Sequence, residues 1–130
     1  MLDPKNMTNK EKLEHARTWY KLAKIYADTT DYEAARSWIV SAHKFYCACE
    51  QTTELLPEKG KCELLLIEIN DRCGRDEDAL RAAEYAYETY SEIVKTNKNE
   101  LPTLDEIAST KHKLQQRVDS IKSANEERVA

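Results

Sequence analysis

Glycine and proline are almost missing from this chain, with Gly at 2 and Pro at 3 in 130 residues. β-Branched residues nowhere gather in alternating runs. Together these shortages argue against a sheet and for an all-α fold with short connections. No apolar run approaches the ~20 residues of a membrane span, and no signal-peptide core follows Met1. A soluble, intracellular chain, cytoplasmic or nuclear, is expected. The net charge of −4 and pI ≈ 5.5 disfavour general nucleic-acid binding, which needs a basic face for phosphates. No Gly-rich phosphate loop, no HExxH and no metal-spaced Asp/Glu cluster occurs. The histidines His15, His43 and His112 fall in three separate predicted helices. No catalytic constellation emerges, so no catalytic residue, no cofactor and no enzymatic activity are expected.

Cysteine is present but unpatterned. Cys47, Cys49, Cys62 and Cys73 include no CxxC pair, and a disulfide framework belongs to smaller secreted chains. Reduced thiols are expected. His43 and Cys47, one helical turn apart, face the same way and can share a metal. No convincing further ligand pair accompanies them, so no metal site is expected. A redox or metal role for the four thiols is the remotest of the readings.

What the chain has is amphipathic helix. The stretch Thr18–Ala42, TWYKLAKIYADTTDYEAARSWIVSA, organises the rest. Leu13, Ala16, Trp19 or Tyr20, Ala23 and Tyr26 or Ala27 recur at spacings of three and four, the period of a helix with one apolar stripe. Asp28-Thr29-Thr30-Asp31 marks a turn, with Thr30 as the expected cap of the next helix and Glu33 completing a capping box. The second helix carries Ala34, Ala35, Trp38, Ile39, Ala42, Phe45 and Tyr46, small residues opposite an aromatic face. Upstream, residues 1–8 form a loose lead-in, and Thr8 with Glu11 caps the first helix. A hairpin over 9–52 follows. Leu56-Pro57 starts a third helix, which Gly60 weakens in its first turn. Its apolar run Leu64–Ile69 reads as buried helix rather than strand, and Gly74 is the expected left-handed stop. Ala79, Ala82, Ala83, Ala86, Tyr87, Tyr90 and Ile93 give a fourth helix, closing a second hairpin over 57–97. Thr103 with Glu106 is expected to open a last amphipathic helix over 103–128, with Leu104, Ile107, Leu114, Val118 and Ile121 as its stripe. The whole of 9–130 is expected to be one helical domain.

Trp19, Leu22, Ala23, Tyr26, then Asp31-Tyr32-Glu33-Ala34-Ala35, then Ile39 and Ala42, resemble a tetratricopeptide (TPR) repeat. Ala23 stands where that family has Gly, and Cys47 where a Pro commonly closes the motif. A second acidic turn, Gly74–Asp78, followed by Ala79, is similar. However, Ala35 and Ala79 stand 44 residues apart, against a family period of about 34. Glu63 and Asn70 also replace its Trp and Tyr. The resemblance therefore implies a TPR-like stack of antiparallel hairpins, about five helices in all, ended by a capping helix. A three-helix MIT-type domain, with a similar acidic turn and Ala-rich second helix, is the second choice.

The TPR resemblance implies a non-enzymatic scaffold that docks a peptide or helix of a partner protein. Arg17, Tyr20, Lys21 and Lys24 follow one another at i, i+3, i+4 and i+7, a basic strip that in the family lines the peptide groove. Such a strip favours an acidic or carboxylate-ended partner. Against this stands the plain role of Lys and Arg in solubilising an outer face. Tyr20 and Leu65 occupy positions where the chaperone-tail-binding subclass has clamp residues, so chaperone tails are not expected. Tyr85, the more exposed of Tyr85, Tyr87 and Tyr90, is a second partner-binding candidate, with Tyr87 expected on the buried stripe. Two hairpins make a short array, so self-association or docking into a larger assembly is expected, with this chain as one module of a longer protein among the outcomes. The alternatives are an MIT-type adaptor for amphipathic helices of membrane-remodelling filaments, or a nucleic-acid-associated helical protein using Lys10, Arg17, Lys21 and Lys24.

Overall fold

A computed structural model describes residues 3–129, with the side chain of Val129 outside the description. Five α-helices account for most of them: α1 (Asn9–Asp28), α2 (Tyr32–Ala48), α3 (Leu56–Arg72), α4 (Asp76–Thr96) and α5 (Leu101–Val129). Short 3-10 turns at Pro4–Asn6 and Lys98–Glu100 precede α1 and α5, and the described residues include no strand. The fold is all-α. Each helix packs on the next in sequence, α1 on α2, α2 on α3, α3 on α4 and α4 on α5, while α1 also touches α3.

Alanine sets how closely these helices approach. Ala16 and Ala23 of α1, Ala35 and Ala42 of α2, and Ala79, Ala82, Ala83 and Ala86 of α4 are all fully or almost fully buried. Larger wedges fill the space between: Ile39, Phe45, Tyr46, Ile69 and Tyr90. Trp19 and Trp38 pack half-buried against this core, and the Trp19 ring meets Phe45 edge-on at 4.5 Å. Gly60 is buried too, against Tyr90 and Thr89 of α4. Its role is close approach of α3 to α4, a packing reason that its expected weakening of the helix start does not cover.

The ends of the helices follow local chemistry. Thr8 and Glu11 form the reciprocal capping box at α1. At α2 the expected cap is corrected: Asp31, not Thr30, accepts the Ala34 N–H, and Thr30 sits in the left-handed region at φ 63. The Asp31 carboxylate, one residue on, reaches an orphan donor of the first turn, which leaves Thr30 to make the turn. Helix α2 stops at Ala48, before the expected hairpin end at 52. Cys49 turns extended, and the Gln51 side chain takes the carbonyls of Tyr46 and Cys49. Gly74 closes α3 at φ 72, as expected of a left-handed stop. Helix α5 begins two residues before Thr103, because the Lys98–Glu100 turn leads straight into it. Pro102 in the first turn loses no N–H the helix needs.

Candidate functional site

Along α2, Arg36, Val40 and His43 succeed one another at helical spacing and form one wall of a groove. The facing wall is Asp78, Arg81, Ala82 and Tyr85 of α4, and Leu66 and Asn70 of α3 form its floor. The groove encloses about 200 Å³. Val40 and Tyr85 keep 44% and 41% of their surface in water, although both lie beside a seam with room for a side chain. The rim is electrostatically lopsided. Three guanidiniums converge on the Asp78 carboxylate: Arg36 at 3.1 Å, Arg81 at 3.4 Å and Arg75 at 3.9 Å. Arg36 also donates to Asn70 Oδ1 at 3.0 Å, tying α2 to both helices of the second hairpin. Arg36 and Arg81 line the groove against the single carboxylate of Asp78, so the lining itself carries more positive than negative charge.

Beneath the other end runs a buried polar chain. His43 Nε2 meets Glu63 Oε2 at 2.8 Å, and the Thr89 hydroxyl donates to Glu63 Oε1 at 2.5 Å. Glu63 is 1% exposed. A carboxylate this deeply buried needs a cation beside it. His43 is that cation. Burial pulls its pKa down, but the partners Cys47 and Glu63 outweigh burial and push it up to about 9. Tyr85 covers the imidazole, ring centroids 5.0 Å apart. Cys47 Sγ lies 3.5 Å from His43 Nε2 and 4.0 Å from Nδ1, on the exposed side of α2. Cys47 and Glu63 thus approach the same ring nitrogen. A hydrolase relay would use the two nitrogens separately, one for the nucleophile and one for the orienting carboxylate. That relay is not formed.

The sequence-predicted partner residues fall on separate surfaces. Arg17 is engaged by Glu58 of α3, Nε to Oε1 at 2.5 Å and Nη2 to Oε2 at 3.1 Å. This pairing holds the Glu58 carboxyl below its usual range. Tyr20 is half-buried against the core, and burial raises its hydroxyl pKa. Lys21 and Lys24 are exposed on α1. Tyr85 lies in the α2–α4 groove, apart from all four. The expected basic strip is therefore reduced to its two lysines. Tyr87, expected on the buried stripe, is exposed, and Lys111 of α5 lies over its ring at 5.3 Å.

Glu63, Thr89 and Asn70 were not legible as site residues. The available signal was positional: Glu63, Leu66, Ile67 and Asn70 share one helical face, so two polar groups stood on a buried stripe. The expected facing of His43 and Cys47 is present, but no group of three His, Cys, Asp or Glu arranged to hold a metal occurs among the described residues. None of their helices is long and apolar enough to cross a membrane. Compared with protein-family models, curated proteins and solved structures, the chain matches none.

Proposed function

We propose that the chain is a non-enzymatic protein-interaction module, a TPR-like stack of helical hairpins whose α2–α4 groove docks an acidic peptide or helix of a partner protein. The observation that carries this reading is the pairing of exposed Val40 and Tyr85 with the three arginines gathered on Asp78. An apolar side chain of the partner fills the space between Val40 and Tyr85. A neighbouring carboxylate takes the guanidinium valence that Asp78 leaves unmet, in the bidentate geometry Arg favours. Tyr at the centre of a contact with Arg beside it is the composition of binding hot spots, and Val40 adds apolar area next to them.

The sequence pointed to Arg17, Tyr20, Lys21 and Lys24 of α1 and to Tyr85 of α4, and of these Tyr85 lines the groove. A displayed library of helical peptides, selected on the folded protein, tests the choice. Acidic sequences with a bulky apolar residue are expected to win, and Arg81→Glu or Tyr85→Ala should weaken them at least tenfold while Lys21→Glu with Lys24→Glu leaves them unchanged. Selected peptides that bind the Arg81→Glu protein as well as the parent would sink the reading. Affinity should also fall as salt rises, because the rim charges are exposed.

A further inference from the structure

Of the four thiols, Cys47 alone is exposed. Cys49 and Cys62 are buried, and burial pushes both thiols up from their ordinary pKa. Cys73 is half-buried, with its thiol raised by burial and by Glu33. Cys47 differs in what stands behind it. The His43 imidazole lies 3.5 Å from its sulfur and is held from within by the carboxylate of Glu63, itself fixed by Thr89. Cys47 and Glu63 together favour the protonated ring, and the ring faces an accessible sulfur. A thiolate beside an imidazolium is the arrangement that makes cysteine a nucleophile at neutral pH. No docking at the groove is needed for this chemistry.

We propose that Cys47 is a thiol–disulfide exchange site, where its thiolate attacks a small-molecule disulfide and remains as a mixed disulfide. In that step the bond from Cys47 Sγ to one sulfur of the reagent forms as the reagent's own S–S bond breaks. Cys47 is oxidised; the departing sulfur is reduced, leaves as a thiolate and takes its proton from water. His43 stays bonded to Glu63 on its inner side, so its part is electrostatic positioning rather than proton transfer. A dithiol reductant reverses the step and restores the free thiol.

The test uses the reduced 130-residue chain and dithiobis(nitrobenzoate), with the modified residue mapped by mass spectrometry. One thiol is expected to react in a fast phase that maps to Cys47 and vanishes in Cys47→Ser. Its rate at neutral pH should exceed that of Cys73 by roughly tenfold, and that of Cys47 in the urea-unfolded chain by a similar factor. Glu63→Gln, which removes the charge but keeps the shape, should slow the fast phase by roughly tenfold while the helical circular dichroism persists. A folded Cys47 no faster than the unfolded one overturns the proposal, as does a folded Glu63→Gln protein reacting at the parent rate. If Glu63→Gln fails to fold, the folded-against-unfolded comparison on the parent chain decides alone.

Discussion

A Cβ placed on Gly60 would stand 2.8 Å from Tyr90 Cε2 and 3.2 Å from its Cζ. In an exposed helix, Gly→Ala adds about 1 kcal/mol of stability. Here the Tyr90 ring is buried where α3 crosses α4 and must shift to admit the methyl. Overpacking costs about 1–3 kcal/mol, so the sign reverses: Gly60→Ala is expected to destabilise by about 1 kcal/mol in urea unfolding. A gain in stability would show that the ring moves freely. His43 gives the second residue-scale expectation. Its folded pKa of about 9 lies above the ordinary 6.5. A raised value means that the folded state holds its proton more tightly than the unfolded chain does. The stabilisation is complete below about pH 6.5, declines as pH rises through that window, and is gone above about 9. Melting temperature should therefore fall between those limits, and Glu63→Gln should flatten the slope. An equal slope in both proteins would place the titrating group elsewhere.

Between α1 and α2 the chain turns within three residues, and the cost falls on Thr30. A β-branched residue at φ 63 is strained. Thr30→Gly is expected to raise stability by about 0.5–1 kcal/mol, whereas Asp31→Ala, which removes the acceptor for the Ala34 N–H, should lower it by about 1 kcal/mol. Paired urea titrations check both; a Thr30→Gly protein less stable than the parent would mean the threonine side chain has a role its strain hides. This turn also shows what the sequence could tell. That an acidic, Thr-containing break separates two helices was plain from DTTD. Which residue caps was not, because Thr30 and Asp31 both satisfy the capping pattern and only backbone dihedrals separate them. Helix existence was legible throughout, since apolar spacing reports it directly, and Leu64–Ile69 is helix as expected. The site was legible only in part. His43 and Cys47 share a face by helical arithmetic, but Glu63 lies 20 residues beyond His43, and Thr89 lies 26 residues beyond Glu63. Pairing across helices depends on register, which local periodicity does not carry. For the same reason Arg17 read as a free cation, although Glu58 on α3 occupies it.

Across the molecule, α5 decides whether the helices form one body or a shorter module with an appendage. Ile107, Leu114 and Val118 of α5 are buried, and Arg117 reaches Asp71 of α3 at 2.6 Å and Asp76 of α4 at 3.0 Å. Those ion pairs are exposed and contribute little. The apolar contacts weigh more, at roughly 1.5–3 kcal/mol for each side chain fully buried, and their sum is a large part of a typical domain's stability of about 5–15 kcal/mol. Burial along α5 stops at Val118, and Ile121 beyond it is exposed. Two truncations therefore separate the parts. Ending the chain after Asn99 removes the covering helix and should lower both the urea midpoint and the slope of the transition, since less surface is then buried. Ending it after Ser120 removes the exposed residues 121–128 and the two that follow them and should change stability by less than about 0.5 kcal/mol. An MIT-type core predicts the opposite for the first cut: a protein ending at Asn99 that unfolds at the parent midpoint and still binds the selected peptides. That result would make α5 a separate element and leave the stacked-hairpin reading without its last layer.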